Sequence, residues 1–334
     1  MDRRGFLTIA GASLTALGVS WAEAPGAVAA VSNGERVTDR RVTALEQRVE
    51  SLRQMDDEMG GARLLEYAQS DLSLITMTIK NGTYTDALGA RLHSLAAQVA
   101  YLAGWMAYDS GLHSLGQRYY VAALRAARTA GEHDLGSFLL AEMGVHASDG
   151  GYNRERVSLL RTALDQSKKV PLATRAYLYL HLAAALAQQS EHREAASALH
   201  TSEKLYDRSG DSRGEWLKWF GESQINSTRG KVMLWAGDSE VATDYLAASV
   251  QSSVPRDKAV RVGRLAEAHL AGGDLDGALT AANHGVDLLE RKVSSHRAVD
   301  RLRNFSGKLA AFSTETAVKE FRERLKALPE MAAA

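Results

Sequence analysis

LAEAHLAGGDLDGALTAANHG, residues 265–285, consists of an apolar stretch, a glycine turn at Gly273 and a second stretch entered through small residues. Gly273 is placed to take the positive φ that ends one helix and reverses the chain. Ala266 lies seven positions before it and Ala278 five after it. Small side chains at those places let two antiparallel helices approach closely where they cross. The stretch therefore predicts a helix hairpin. A single hairpin cannot bury its own apolar face, so the pattern requires stacked neighbours.

Four upstream segments repeat the design: LAGWMAYDSGLHSLGQRYYVAAL (102–124), MGVHASDGGYNRERVSLLRTAL (143–164), LAAALAQQSEHREAASALHTSE (182–203) and RGKVMLWAGDSEVATDYLAAS (229–249). Their turns fall at Gly111, Gly151, Ser190 and Gly237, so successive steps to Gly273 are 40, 39, 47 and 36 residues. Gly104, Gly144, Ala183 and Gly230 take the small position before the turn, and Gly116, Ala195 and Ala242 the one after it. Arg156 breaks the rule in the second segment, and the third lacks the turn glycine. A weaker sixth unit centres on Asn81-Gly82, with a helix over residues 61–80 before it. The predicted fold is all-α: an α-solenoid of stacked antiparallel helix hairpins, a tetratricopeptide-like superhelix.

These are tetratricopeptide features. The phrases LAGWMAYDSG, EWLKWFGES, GKVMLWAGD and LAEAHLAGGDLDGAL further resemble the repeat region of actinobacterial helix-turn-helix/tetratricopeptide regulator-like proteins, over roughly residues 60–325. Nothing before residue 40 is long enough for the DNA-binding domain of that group, so direct nucleic-acid binding is not expected. The resemblance implies that the first helix of each repeat lines a concave binding face. Carried over position by position, this gives Gln98, Tyr101, Trp105 and Tyr108, then Phe138 and Ser148, Tyr177, Gln224, Lys231 and Trp235, and Glu267. Aromatic rings with polar tips suit peptide recognition, although a core role is open for several of them.

The flanks carry their own patterns. Residues 35–59 read as a charged helix with a heptad-like stripe of Val42, Leu45, Val49, Leu52 and Met59, Asp56 standing at the skipped position. The stripe serves either packing on the first repeat or a homodimer. Trp216, Trp219 and Phe220 fall on one helical face, as core or as a partner anchor. Residues 291–308 hold six Lys/Arg (Arg291, Lys292, Arg297, Arg301, Arg303 and Lys308) and one acid, Asp300. This run reads as a solvated face, or as a surface for an acidic partner or a phosphate. Residues 291–328 would cap the solenoid, with a frayed tail, PEMAAA.

Composition agrees with a helical chain: 45% of the 334 residues are hydrophobic, and prolines number only 4. Lys+Arg and Asp+Glu balance at 40 each, which excludes a global electrostatic grip on nucleic acid or an anionic membrane. There is no cysteine, hence no disulfide and no thiolate nucleophile or ligand. No apolar run is long enough to span a bilayer.

Residues 1–34 form a separate segment. Asp2-Arg3-Arg4-Gly5-Phe6-Leu7 resembles a twin-arginine export motif, an uncharged stretch follows over residues 9–22, and small-residue cleavage patterns stand at 22–24 and 27–29. Cleavage and retention both stay open, and residues 23–34 read as a flexible linker.

The ten histidines show no metal-ligand spacing, the glycine pairs no phosphate loop, and the serines no nucleophile elbow. No cofactor, metal or catalytic constellation is expected. The chain reads as a cytoplasmic regulatory protein, not an enzyme, that binds a protein or peptide and acts on transcription through it. The alternative is an exported repeat scaffold.

Overall fold

The computed structural model describes residues 34–149, 152–166, 170–210, 213–291 and 293–328. The twin-arginine-like segment, its linker up to residue 33, the turn at Gly151 and the tail from residue 329 lie outside the described residues. Fourteen α-helices account for nearly all of the rest. They are α1 (Asp39–Met59), α2 (Leu65–Asn81), α3 (Asp86–Asp109), α4 (His113–Thr129), α5 (His133–Asp149), α6 (Asn153–Gln166) and α7 (Leu172–Gln188). There follow α8 (His192–Asp207), α9 (Glu222–Ala236), α10 (Ser239–Gln251), α11 (Pro255–Ala271), α12 (Leu275–Arg291), α13 (His296–Lys308) and α14 (Thr316–Ala327).

Five tight hairpins, α3–α4, α5–α6, α7–α8, α9–α10 and α11–α12, correspond to the five segments read in the sequence. Gly111, Gly237 and Gly273 adopt positive φ at their turns. Ser190 takes the same conformation at φ 64°, the only non-glycine residue to do so among those described. After α9 the turn closes with Gly237 N–H donating to the Leu234 carbonyl and Asp238 N–H to that of Met233. The Asp238 carboxylate then caps α10 by accepting from Val241 N–H at 3.2 Å.

The small-residue positions do what their spacing predicts. A Cβ on Gly116 would stand 3.0 Å from the Gly104 carbonyl oxygen, and one on Gly230 would stand 3.0 Å from that of Ala242 and 2.4 Å from Leu246. Ala183, Ala195, Ala266 and Ala278 are completely buried at the same crossings.

Three expectations change at the ends. Residues 35–36 are a short strand, β1 (Glu35–Arg36), paired in parallel with β2 (Gly82–Thr83), and α1 starts only at Asp39 behind a Thr38 cap. Gly82 is therefore extended backbone and not a hairpin turn, so the sixth unit is a helix pair of another kind. The heptad-like stripe of α1 is buried within the chain against α2 and α3, with Val42 fully enclosed. A homodimer would have to use a different surface.

The solenoid curls until its ends meet. Helix α11 packs on α1, and α13 reaches α3. Ser294 N–H donates to the Met59 carbonyl at 3.0 Å, and Ser295 Oγ donates to Asp109 at 2.8 Å. Gly60 permits this closure, because its φ is +82° and a Cβ there would press to 2.5 Å from the Ser294 carbonyl.

Candidate functional site

Closure turns the concave face into a chamber with about 1280 Å³ of atom-free space, part of it open to solvent. The first helix of every hairpin contributes, as do α1 and α13. Eight of the eleven carried-over positions line it: Tyr101, Trp105, Tyr108, Ser148, Tyr177, Gln224, Lys231 and Trp235. Three do not. Phe138 is fully buried, filling the space between Tyr101 and Tyr177 with ring centroids 4.9 and 5.4 Å away. Glu267 is enclosed by Arg264 at 2.7 Å and Lys308 at 3.3 Å. Gln98 stands behind the wall and accepts from Arg53 at 3.2 Å. One residue in each turn of a lining helix faces the chamber and its neighbours face the core, so register errors of one or two positions decide the outcome.

The floor is a buried carboxyl. Glu142 accepts hydrogen bonds from the Tyr101 hydroxyl at 3.3 Å and from the Tyr177 hydroxyl. Its burial outweighs those two hydrogen bonds and pushes its pKa up to about 7. Trp219 stands edge-on to Tyr177, at 5.6 Å and 89°. It belongs to a linker whose short 3₁₀ turn (Glu215–Leu217) replaces the predicted helix, and this splits the aromatic cluster. Trp216 and Phe220 enter the core, while Trp219 faces the chamber.

Cations dominate the charged lining as a whole, eight against four carboxylates, in a chain of zero net charge. Most are held. Arg256 bridges Asp56, Asp57 and Asp257 and stacks on Trp105. Around the buried Asp56 carboxyl, desolvation outweighs the attraction of that guanidinium and lifts the pKa to about 7. Arg261 is fixed by Asp257 at 3.0 Å, Gln224 at 2.7 Å and the Ser249 and Ser253 hydroxyls at 2.8 Å each. Arg297 pairs with Asp109 at 3.1 Å and lies 4.5 Å from the centre of the Trp105 ring. The basic run of residues 291–308 is thus no simple solvated face. It spans the end of α12 and all of α13, and Arg297 and Arg301 point inward.

Sequence reasoning missed Arg156 and the arginines of α11, and it named Trp219, Arg297 and Arg301 as partner-contact alternatives without placing them on the concave face. Arg156 had a signal. It is the one large side chain at a small-residue position; its stem packs 3.2 Å from where a Gly144 Cβ would be, and its guanidinium lines the chamber.

No family model matches this chain, and no curated protein does. Among solved structures it is similar to NprR in complex with its cognate peptide NprX, at 13% identity over 88% of this chain and 81% of that one, with a TM-score of 0.52. It also matches the apo form of the quorum sensor NprR from B. thuringiensis (13%, 87% and 84%, TM-score 0.45) and BtubC from P. vanneervenii (14%, 73% and 91%, TM-score 0.43). At these identities the NprR complex supports the fold alone: a helical-repeat solenoid. Among the described residues no group of side chains could hold a metal ion, and no helix is long and apolar enough to cross a membrane.

Proposed function

We propose that this chain is a regulatory binding protein, not an enzyme, that takes a short peptide into its central chamber and acts on transcription through a partner. The observation that carries this reading is the chamber itself. Ring closure leaves a partly enclosed concave chamber walled by Tyr101, Trp105, Tyr108, Tyr177 and Trp235, a shape and lining that suit an extended peptide. Aromatic rings with hydrogen-bonding tips give contact area and orientation together. NprR, of similar fold, has been solved with a peptide, and the sequence phrases that resemble actinobacterial regulators favour the regulatory role.

The test is selection from a random peptide library on the full chain and on Ser148→Trp, which fills the chamber. Peptides enriched on the wild type and lost on the variant support the reading; equal enrichment on both sinks it. The twin-arginine-like start favours a second reading, an exported peptide-binding scaffold. Intact mass of the native protein decides between them, since export with cleavage removes roughly the first 24–30 residues.

A further inference from the structure

Lys231 and the His181 ring both line the chamber, and neither has a hydrogen-bond partner among the described residues. Lys231, half-buried on the chamber face of α9, forms no ion pair or hydrogen bond among the described residues. The charges that perturb it most are all cations: Arg156, Arg264, Arg261 and Arg301. Burial and those four charges hold its ammonium well below the ordinary lysine range. His181, on α7, is 6% exposed, and neither ring nitrogen has a hydrogen-bond partner. Burial, reinforced by the charges of Arg156 and Lys231, holds the imidazole well below the ordinary histidine range. Tyr177 packs on its ring at 4.3 Å, so the imidazole is fixed in place.

An imidazole buried without a hydrogen-bond partner, with the cations Arg156 and Lys231 acting on it, is unfavourable for the empty protein. The arrangement becomes favourable when an anion enters. We infer that Lys231 and His181, with Arg156 beside them, form the subsite for a carboxylate of the bound ligand. Lys231 supplies the charge, and His181 donates one N–H to the second oxygen. The carboxylate belongs to a short peptide, as its C-terminus or as an acidic side chain, while the aromatic wall takes the remainder. This inference rests on the peptide reading above and specifies the chemistry of its ligand.

The experiment uses the full chain and four probes: triglutamate with a free C-terminus, triglutamate C-terminal amide, triglutamine with a free C-terminus and triglutamine amide. Binding is followed by the fluorescence of the wall tryptophans Trp105, Trp219 and Trp235, and melting temperatures are recorded in parallel. The triglutamine amide should give no saturable change, and at least one carboxylate-bearing probe should give one. Which of them binds assigns the carboxylate to the terminus or to the side chain. Lys231→Met should weaken binding at least tenfold and raise the melting temperature of the ligand-free protein, whereas Lys231→Arg should retain binding. The inference is overturned if no carboxylate probe binds, if Lys231→Met binds as tightly as the wild type, or if Lys231→Met melts lower. If library peptides enrich but are indifferent to Lys231→Met, the peptide reading stands and this inference falls. If the library yields nothing and no probe binds, both fall.

Discussion

Tyr101, Trp105, Tyr108 and Tyr177 on one side of the chamber, and Lys231, Arg256, Arg261 and Arg264 on the other, occupy comparable places in the repeat. All eight come from the first helices of hairpins. The first wall is aromatic, with the hydroxyls of Tyr101 and Tyr177 converging on Glu142. The second is guanidinium-rich, and only part of its charge is answered by carboxylates. Repetition of a hairpin fixes where side chains point, while leaving their chemistry free to differ between the two halves. A chamber made this way can grip an apolar chain at one side and a charged group at the other.

The sharpest way to break this comparison is to separate the walls. Arg256→Ala removes the guanidinium shared by Asp56, Asp57 and Asp257 and leaves Asp56 buried without its counter-ion. Loss of such a partner costs about 3–5 kcal/mol, to be read by chemical denaturation. Small-angle scattering should show a larger radius of gyration as the ends part.

A second measurement probes the aromatic wall through pH. The Glu142 carboxyl is raised from 4.5 to about 7 on folding, so the folded state holds its proton more tightly than the unfolded chain. Its contribution to stability is full below about pH 4.5 and is lost as pH rises through 7, by about 3 kcal/mol in total. Glu142→Gln should flatten that part of the stability profile. Asp56 contributes with the same sign, so the wild type and the variant are compared over the same range.

The cationic wall depends on close packing behind it. Gly230→Val places methyl groups against Leu246 and the Ala242 carbonyl and should lower stability by about 2 kcal/mol, read from the denaturation midpoint. The smallest effect lies between the walls. Ser190→Gly relieves a serine held at φ 64° and should add up to about 1 kcal/mol, seen as a rise of a few degrees or less in melting temperature.

The hairpins were legible because their signals are local. Gly111, Gly237 and Gly273 mark turns by their backbone freedom, and the alanines and glycines seven before and five after them mark crossings. The lining aromatics followed from the same register. The charged wall was hidden for a different reason: Arg256 meets Asp56 across 200 positions, and Ser295 meets Asp109 across 186. Local periodicity carries no information on how far a superhelix curls. Asp56 looked like a fault in a heptad stripe and Arg156 a fault in a repeat. In the structure the first holds the ends of the molecule together and the second lines the cavity between them. The departures at Asp56 and Arg156 pointed to the chamber alongside the inherited register, whereas Phe138 and Glu267, which obeyed that register, are buried away from it.

An open solenoid behaves as a nearly one-dimensional array whose terminal units can melt away one at a time. Here the contacts of Met59 with Ser294 and of Asp109 with Ser295 and Arg297 leave no such free terminus in the helical ring. Unravelling cannot start at one end without first breaking a junction made by residues nearly 200 positions apart. The junction is also the most expensive contact to find from the unfolded chain, so it forms after the hairpins. Hydrogen exchange should therefore show α1 and α13 protected together, as a single cooperative unit rather than as two fraying tips.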